Sequence, residues 1–336
     1  MKSWHLAVAT VTVVCLTAAA PAAELELVQT IVSKGKAGGL DHVAIDAKRD
    51  RLFLANKANN TLDIIDLKTG KLLEQKTNQT AIQGVCYAPD IDLVFVALGT
   101  GGLCNVFDGE KYGIKKTFKL QDDADNVRYN PATHLVYVAH ADKMLAVLDA
   151  KDPKNVEKKA DIKLPGTAES FELETKRPIM YLNAPGASVV AVIDTDKNQV
   201  TKTYPVKMSK GGHPLALDEA NKRIYVGCRG DKDAKPMVVI LDTESGKELG
   251  GVEIPGGIDD LWLDAKRKRL YASCGDGFLV SLKIADGDKL EIAEKVETAK
   301  GAKTCYYAPD TGRLYLAVPR QEGKDGPEIR VYEAKP

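Results

Sequence analysis

Neither sign of charge is in excess in this chain: 47 Lys and Arg stand against 47 Asp and Glu over 336 residues. No basic stripe exists, so phosphate contacts of the kind that hold nucleic acid or an anionic membrane have little electrostatic support, and no nucleic-acid partner is expected. Long apolar runs are scarce as well. The one candidate, Leu6 to Ala20, is too short to span a bilayer comfortably; Lys2 precedes it and the small-x-small step Ala20-Pro21-Ala22 closes it. That is the pattern of a cleaved leader. Residues 1–23 are therefore expected to be a signal peptide, and the mature chain to be periplasmic or secreted, with no transmembrane segment. Cys15 would suggest lipidation, but Val14 before it is too large for the usual small residue.

Cysteine is sparse. Once Cys15 is removed, Cys86, Cys104, Cys228, Cys274 and Cys305 remain. An odd count excludes a fully paired disulfide framework, and a chain of this length can bury a core without one. Catalytic signatures are missing too: there is no Cys-x-x-Cys-His, no His-Glu-x-x-His, no Gly-x-Ser-x-Gly and no phosphate loop. Gly99-Thr100-Gly101-Gly102 lacks the later glycine and the helix that dinucleotide binding needs, and reads as a turn.

What is present is a repeat. Short inner-strand segments begin at Asp41, Gln83, Asp125, Glu169, His213, Asp259 and Lys303, at steps of 42, 42, 44, 44, 46 and 44 residues. A period of roughly 40–50 residues built from short strands means propeller blades. In the first blade Val43 and Ile45 alternate, Asp46 to Asp50 turns, Leu52-Phe53-Leu54-Ala55 is a second strand, Leu62 to Asp66 a third, and Leu72-Leu73 lies in a fourth. Period-two alternation bounded by Asp, Asn and Gly marks half-buried antiparallel strands. The seventh blade runs out of chain after its third strand, which would leave an open edge. Residues 25–31 (Leu25 to Ile31) read like the missing fourth strand and are expected to pair with residues 328–333. The expected fold is all-β: a seven-bladed β-propeller of four-stranded antiparallel blades, a single domain over residues 24–336, acting as a monomer.

Segments such as Leu52 to Asn56 followed by Leu62 to Lys71 resemble the YVTN-repeat β-propeller family of exported bacterial proteins, and the likeness covers nearly the whole mature chain. It is degenerate in blades two and six, where Gly99 to Gly102 and Lys283 replace the usual residues. The resemblance implies a seven-bladed propeller in the periplasm or at the cell surface. It offers no catalytic motif to transfer.

Equivalent repeat positions must lie on rings around the central channel. The first ring reads Asp41, Gln83, Asp125, Glu169, His213, Asp259 and Lys303; the next reads His42, Gly84, Asn126, Ser170, Pro214, Asp260 and Thr304. Polar groups thus gather where the inner strands begin, at one mouth of the channel. The expected binding face is Asp41, His42, Gln83, Asp125, Asn126, Glu169, His213, Asp259, Asp260 and Lys303. Four carboxylates against one lysine give the first ring a charge of −3, and crowded carboxylates raise one another's pKa unless a cation compensates. His42, Asp125, Glu169, His213 and Asp259 form a mixed set that could ligate a divalent metal, the one cofactor the ring suggests. The alternative is a wet polar mouth with no specific ion. At the ends of the second strands, Asn56, Leu98, His140, Asn183, Cys228, Cys274 and Val318 are read as another ring. Cys228 and Cys274 are expected to be small buried residues there, with an interblade disulfide as the alternative.

The expected function is an exported, non-catalytic propeller binding a small ligand or a protein partner at this acidic mouth. The alternative is a metal-dependent hydrolase of the lactonase type, and a quinone- or haem-linked oxidoreductase component comes third.

Overall fold

The computed structural model describes Met1 and residues 23–335, so the body of the expected leader lies outside the described residues. The described residues form seven four-stranded antiparallel sheets. Blade 1 holds the strands Val43–Asp46, Arg51–Asn56, Thr61–Asp66 and Lys71–Lys76. The next five blades open with the inner strands Ile82–Ala88, Val127–Asn130, Phe171–Leu173, Gly212–Asp218 and Ile258–Asp264. Blade 7 is Thr304–Ala308, Arg313–Val318 and Glu328–Ala334, completed by Leu25–Val32 from the other end of the chain. That closing strand runs antiparallel to Glu328–Ala334, from Leu25 opposite Ala334 to Val32 opposite Glu328. The ring therefore closes as the sequence predicts, and the exposed edge is removed. Among the described residues the one helical piece is the 3-10 turn Pro185–Ala187, and no helix is long and apolar enough to cross a membrane.

The core is seven wedges, one between each pair of neighbouring blades. The wedge at the closure joins Ile31, Ile329 and Val331 to Val43, Leu52 and Leu54. Its counterpart between blades 1 and 2 joins Phe53 and Ile64 to Val85, Val94 and Phe107. Aromatics are only 6% of the chain but are placed regularly. The third residue of every second strand is aromatic and buried: Phe53, Phe95, Tyr137, Tyr181, Tyr225, Tyr271 and Tyr315. Each side chain of this size buries enough surface to contribute about 2–3 kcal/mol, so every blade carries its own anchor.

The tyrosines also organise the turns at the far end of the inner strands. Tyr271 donates to Asp264 (3.1 Å), which also accepts from Arg267 (3.0 Å). Tyr181 donates to Glu174 (2.8 Å), where Arg177 makes a two-pronged contact at 2.5 and 2.6 Å. In blade 1, Arg49 joins Asp46 (2.7 Å) to Asp92 of the neighbouring blade (2.6 Å). Carboxylates there are matched, with Asp46, Asp264 and Glu174 buried and Asp92 half-buried.

Candidate binding site at the channel mouth

A regular strand sends successive side chains to opposite faces, yet both ring positions of several blades reach the channel. A bulge explains it. In blade 1 the Asp41 N–H donates to the Ala55 carbonyl while the Ala55 N–H donates to the His42 carbonyl, so two inner-strand residues face one. Asp125 and Asn126 face Ala139 in the same way, and Glu169 and Ser170 face Asn183. Register shifts put equivalent irregularities at Gln83–Gly84, His213–Pro214 and Asp259. Bulges re-aim side chains, and here three of them turn a consecutive pair toward the mouth: Asp41 and His42, Asp125 and Asn126, and Glu169 and Ser170. Gly84 is required at this level: a Cβ there would be driven into the carbonyl oxygen of Asp125.

The result is a cavity of about 190 Å³ lined by Asp41, His42, Gln83, Asp125, Asn126, Glu169, His213, Asp259 and Lys303, together with Lys57, Ser170 and Arg229. Nine of the ten sequence-predicted residues are therefore brought together. The tenth, Asp260, lies in an adjoining cavity of about 110 Å³ that it shares with His42, Arg128 and Trp262, and it accepts the Cys305 N–H at 2.8 Å. Arg128 reaches Glu172 at 3.5 Å and Trp262 donates to the Cys305 carbonyl at 2.9 Å.

Lys57 and Arg229 were missed, and they change the charge of the mouth. Each directly follows the last residue of a second strand, Asn56 and Cys228, one step beyond where the ring was read. With both included, the −3 of the first ring falls to −1, so the mouth is mixed in charge rather than simply acidic. Asp259 takes most of the compensation: Lys303 lies at 2.8 Å, His213 at 2.9 Å, and Arg229 also contacts it. Burial pushes the Asp259 carboxyl up, but His213, Lys303 and Arg229 together hold it well below the usual carboxylate range. Glu169 shares the same His213 nitrogen at 3.2 Å, and burial keeps its pKa raised despite that contact. Lys57 is committed to Gln83 (2.7 Å) and Asp41 (3.5 Å).

The metal-ligand set is not assembled as a unit. Glu169, His213 and Asp259 converge, but on each other and on Lys303 and Arg229. His42 sits apart, 3.8 Å from Asp41 and 3.9 Å from Asp260, and burial lowers its pKa. Among the described residues no group of three or more His, Cys, Asp or Glu side chains is arranged to hold a metal ion.

Asp125 differs from its neighbours. Among the described residues no cation pairs with its carboxylate and no donor hydrogen-bonds to it. Burial first, then the charges of Asp41 and Glu169, push its pKa well up. Beside it Asn126 is 4% exposed, and its Oδ1 is buried with no hydrogen-bond partner.

One sequence reading at the strand ends needs adjustment, and those of the cysteines and His140 agree with the structure. Asn183 does not belong to the strand-end ring; that place in blade 4 is held by Ala184, and Asn183 lies one residue earlier, donating to the His213 carbonyl at 3.3 Å. Cys228 and Cys274 are buried and unpaired, packed in different wedges. His140 is a satisfied rim residue, bonded to Asp161 at 2.9 Å.

No family model matches the chain, and no curated protein matches it in sequence. Solved structures do. The chain is similar to one in the hydrazine synthase of Kuenenia stuttgartiensis, with a TM-score of 0.72 and 17% identity over 85% of this chain and 94% of that one. It is also similar to a chain of a mitotic checkpoint complex, with a TM-score of 0.76 and 12% identity over the whole of both. At such identities the likeness is one of fold alone, and function has to be argued from the site.

Proposed function

We propose that this is an exported, non-catalytic propeller of the YVTN-repeat kind that binds a small polar ligand, or a polar segment of a partner protein, in the channel mouth. One observation carries this reading: residues from all seven blades converge on one cavity whose polar groups are only partly satisfied by one another. A buried polar atom without a partner costs about 1–3 kcal/mol, which a fold can tolerate where a ligand supplies the missing contact. The volume of about 190 Å³ lies below the usual range for drug-sized ligands, which favours a small molecule or a single inserted side chain. The leader pattern of residues 1–23 supports export.

The hydrolase reading needs histidines and carboxylates free to ligate a metal, and Asp259, Glu169 and His213 are already engaged with cations and with each other. Nothing in the site favours a quinone or haem. The binding reading is tested by following the imidazole NMR resonances of His42 and His213 while a panel of small polar compounds is titrated in. Compounds that shift these resonances saturably and compete with one another support the reading; a panel that never moves them contradicts it.

A further inference from the structure

Resting on that reading of the mouth, we propose that the ligand group received there is a protonated primary amine, held by the Asp125 carboxylate and the Asn126 amide oxygen. The basic groups of the mouth already have partners. Lys57 is held by Gln83 and Asp41; Lys303 and Arg229 lie on Asp259; His213 bridges Glu169 and Asp259. Gln83 is fully engaged as well, donating to Asp123 at 3.0 Å and to the Ala124 carbonyl at 3.2 Å. Lys57, Lys303 and Arg229 are thus bonded to groups other than Asp125, Lys57 acting on it only as a nearby charge. This carboxylate without a bonded cation lines the cavity together with Asn126, whose buried amide oxygen has no donor among the described residues.

The chemistry of the vacant partner follows. Asp125 and Asn126 present three oxygen acceptors from consecutive residues of one bulge, and a primary ammonium carries three N–H donors and one positive charge. A bare metal ion would call for further oxygen or nitrogen ligands that this pair lacks. A quaternary ammonium would supply charge but no hydrogen bond. Burial and the nearby charges of Asp41 and Glu169, which push the Asp125 carboxyl up, are relieved when a cation docks against it. Gly84 adds a steric reason for the placement, since its missing side chain is what lets the second inner strand approach the Asp125 backbone.

The experiment titrates n-butylammonium chloride into the purified protein at constant ionic strength, with heat and the His42 and His213 resonances as readouts. Tetramethylammonium serves as a cation without N–H donors and sodium acetate as an anion. The expected result is saturable n-butylammonium binding, none by tetramethylammonium, about tenfold or greater weakening in Asp125→Asn and a smaller loss in Asn126→Ala. Asp125→Asn preserves shape, and its unfolding midpoint checks that the ring is intact. A blocked lysine, Nα-acetyl-lysine methylamide, separates two sources of the same amine: tighter binding than n-butylammonium supports a partner's lysine side chain, weaker binding a free small amine. If acetate shifts the mouth histidines while n-butylammonium does not bind, the amine inference is overturned and the binding reading stands. Should no probe shift them, both fail. Amine binding unchanged in both variants overturns the assignment to Asp125 and Asn126.

Discussion

The two ends of the inner strands differ in how completely they match their carboxylates. At the far end Asp264 is met by Arg267 and by the hydroxyl of Tyr271, and Asp92 by both prongs of Arg49. Burial pushes the Asp264 carboxyl up, yet its hydrogen bonds from Tyr307, Arg267 and Tyr271 outweigh that and hold it below its ordinary pKa; the Arg49 hydrogen bond does the same for Asp92. At the mouth Asp259 is matched in the same way by Lys303 and Arg229. Half-buried Asp125 and, in the adjoining cavity, buried Asp260 have no Lys or Arg bonded to them among the described residues, and both are pushed up. A matched carboxylate is part of the frame. An unmatched one is tolerated, and the tolerance is informative because buried polar groups are so rarely left alone.

The largest effect that sharpens this contrast is expected from Arg267→Ala. It strips a nearly buried carboxylate of its cation, and such removals cost about 3 kcal/mol or more; urea unfolding measures the loss. Next comes Gly84→Ala, which overpacks the approach of blades 2 and 3 and is expected to cost about 1–3 kcal/mol by the same assay. A loss in either well below 1 kcal/mol would remove the corresponding argument.

Acid titration tests the contrast with a smaller effect and opposite signs at the two ends. Asp125 has a raised folded-state pKa, so the folded protein holds more protons there than the unfolded chain does. Its contribution therefore improves as pH falls from neutral toward the ordinary carboxylate value of about 4. Asp264 has a lowered folded-state pKa, so its contribution is present above about 4 and is lost as pH falls through the folded value. The stability gap between the native protein and Asp125→Asn should accordingly move in the native protein's favour from pH 7 to pH 5, while the gap to Asp264→Asn should begin to close only below about pH 4. Parallel curves would contradict the distinction. The smallest effect concerns the thiols. Cys104, Cys228, Cys274 and Cys305 are buried and burial raises their pKa, to about 12 for the first three. Without reductant they should all alkylate once the protein is unfolded, and half-buried Cys86 alone should react slowly in the folded state. Any pair that resists alkylation after unfolding would show a disulfide.

The propeller and its closure were legible because period and alternation are properties of single strands. Leu25 to Ile31 reads as an orphan outer strand before any partner is known, and it pairs as such. The membership of the mouth was legible for the same reason, with repeat position standing in for place on a ring. The charge balance was not. Lys57 and Arg229 sit in loops one residue past the strands, and the aligned rings stopped at Asn56 and Cys228. Asn183 was misplaced by one residue because blade 4 has Asn-Ala where blade 1 has Ala-Asn, and composition alone cannot fix register. The bulge that turns Asp125 and Asn126 the same way depends on hydrogen bonds between strands and leaves no mark in either residue's identity.

The most direct test of the central claim is a paired urea denaturation of Asp125→Asn and Asp264→Asn at neutral pH. The account predicts that Asp264→Asn loses about 2 kcal/mol or more, having broken a matched buried cluster, while Asp125→Asn keeps or slightly raises the native stability. A loss at Asp125 as large as that at Asp264 would contradict it, because the mouth carboxylate would then belong to the frame rather than to a ligand.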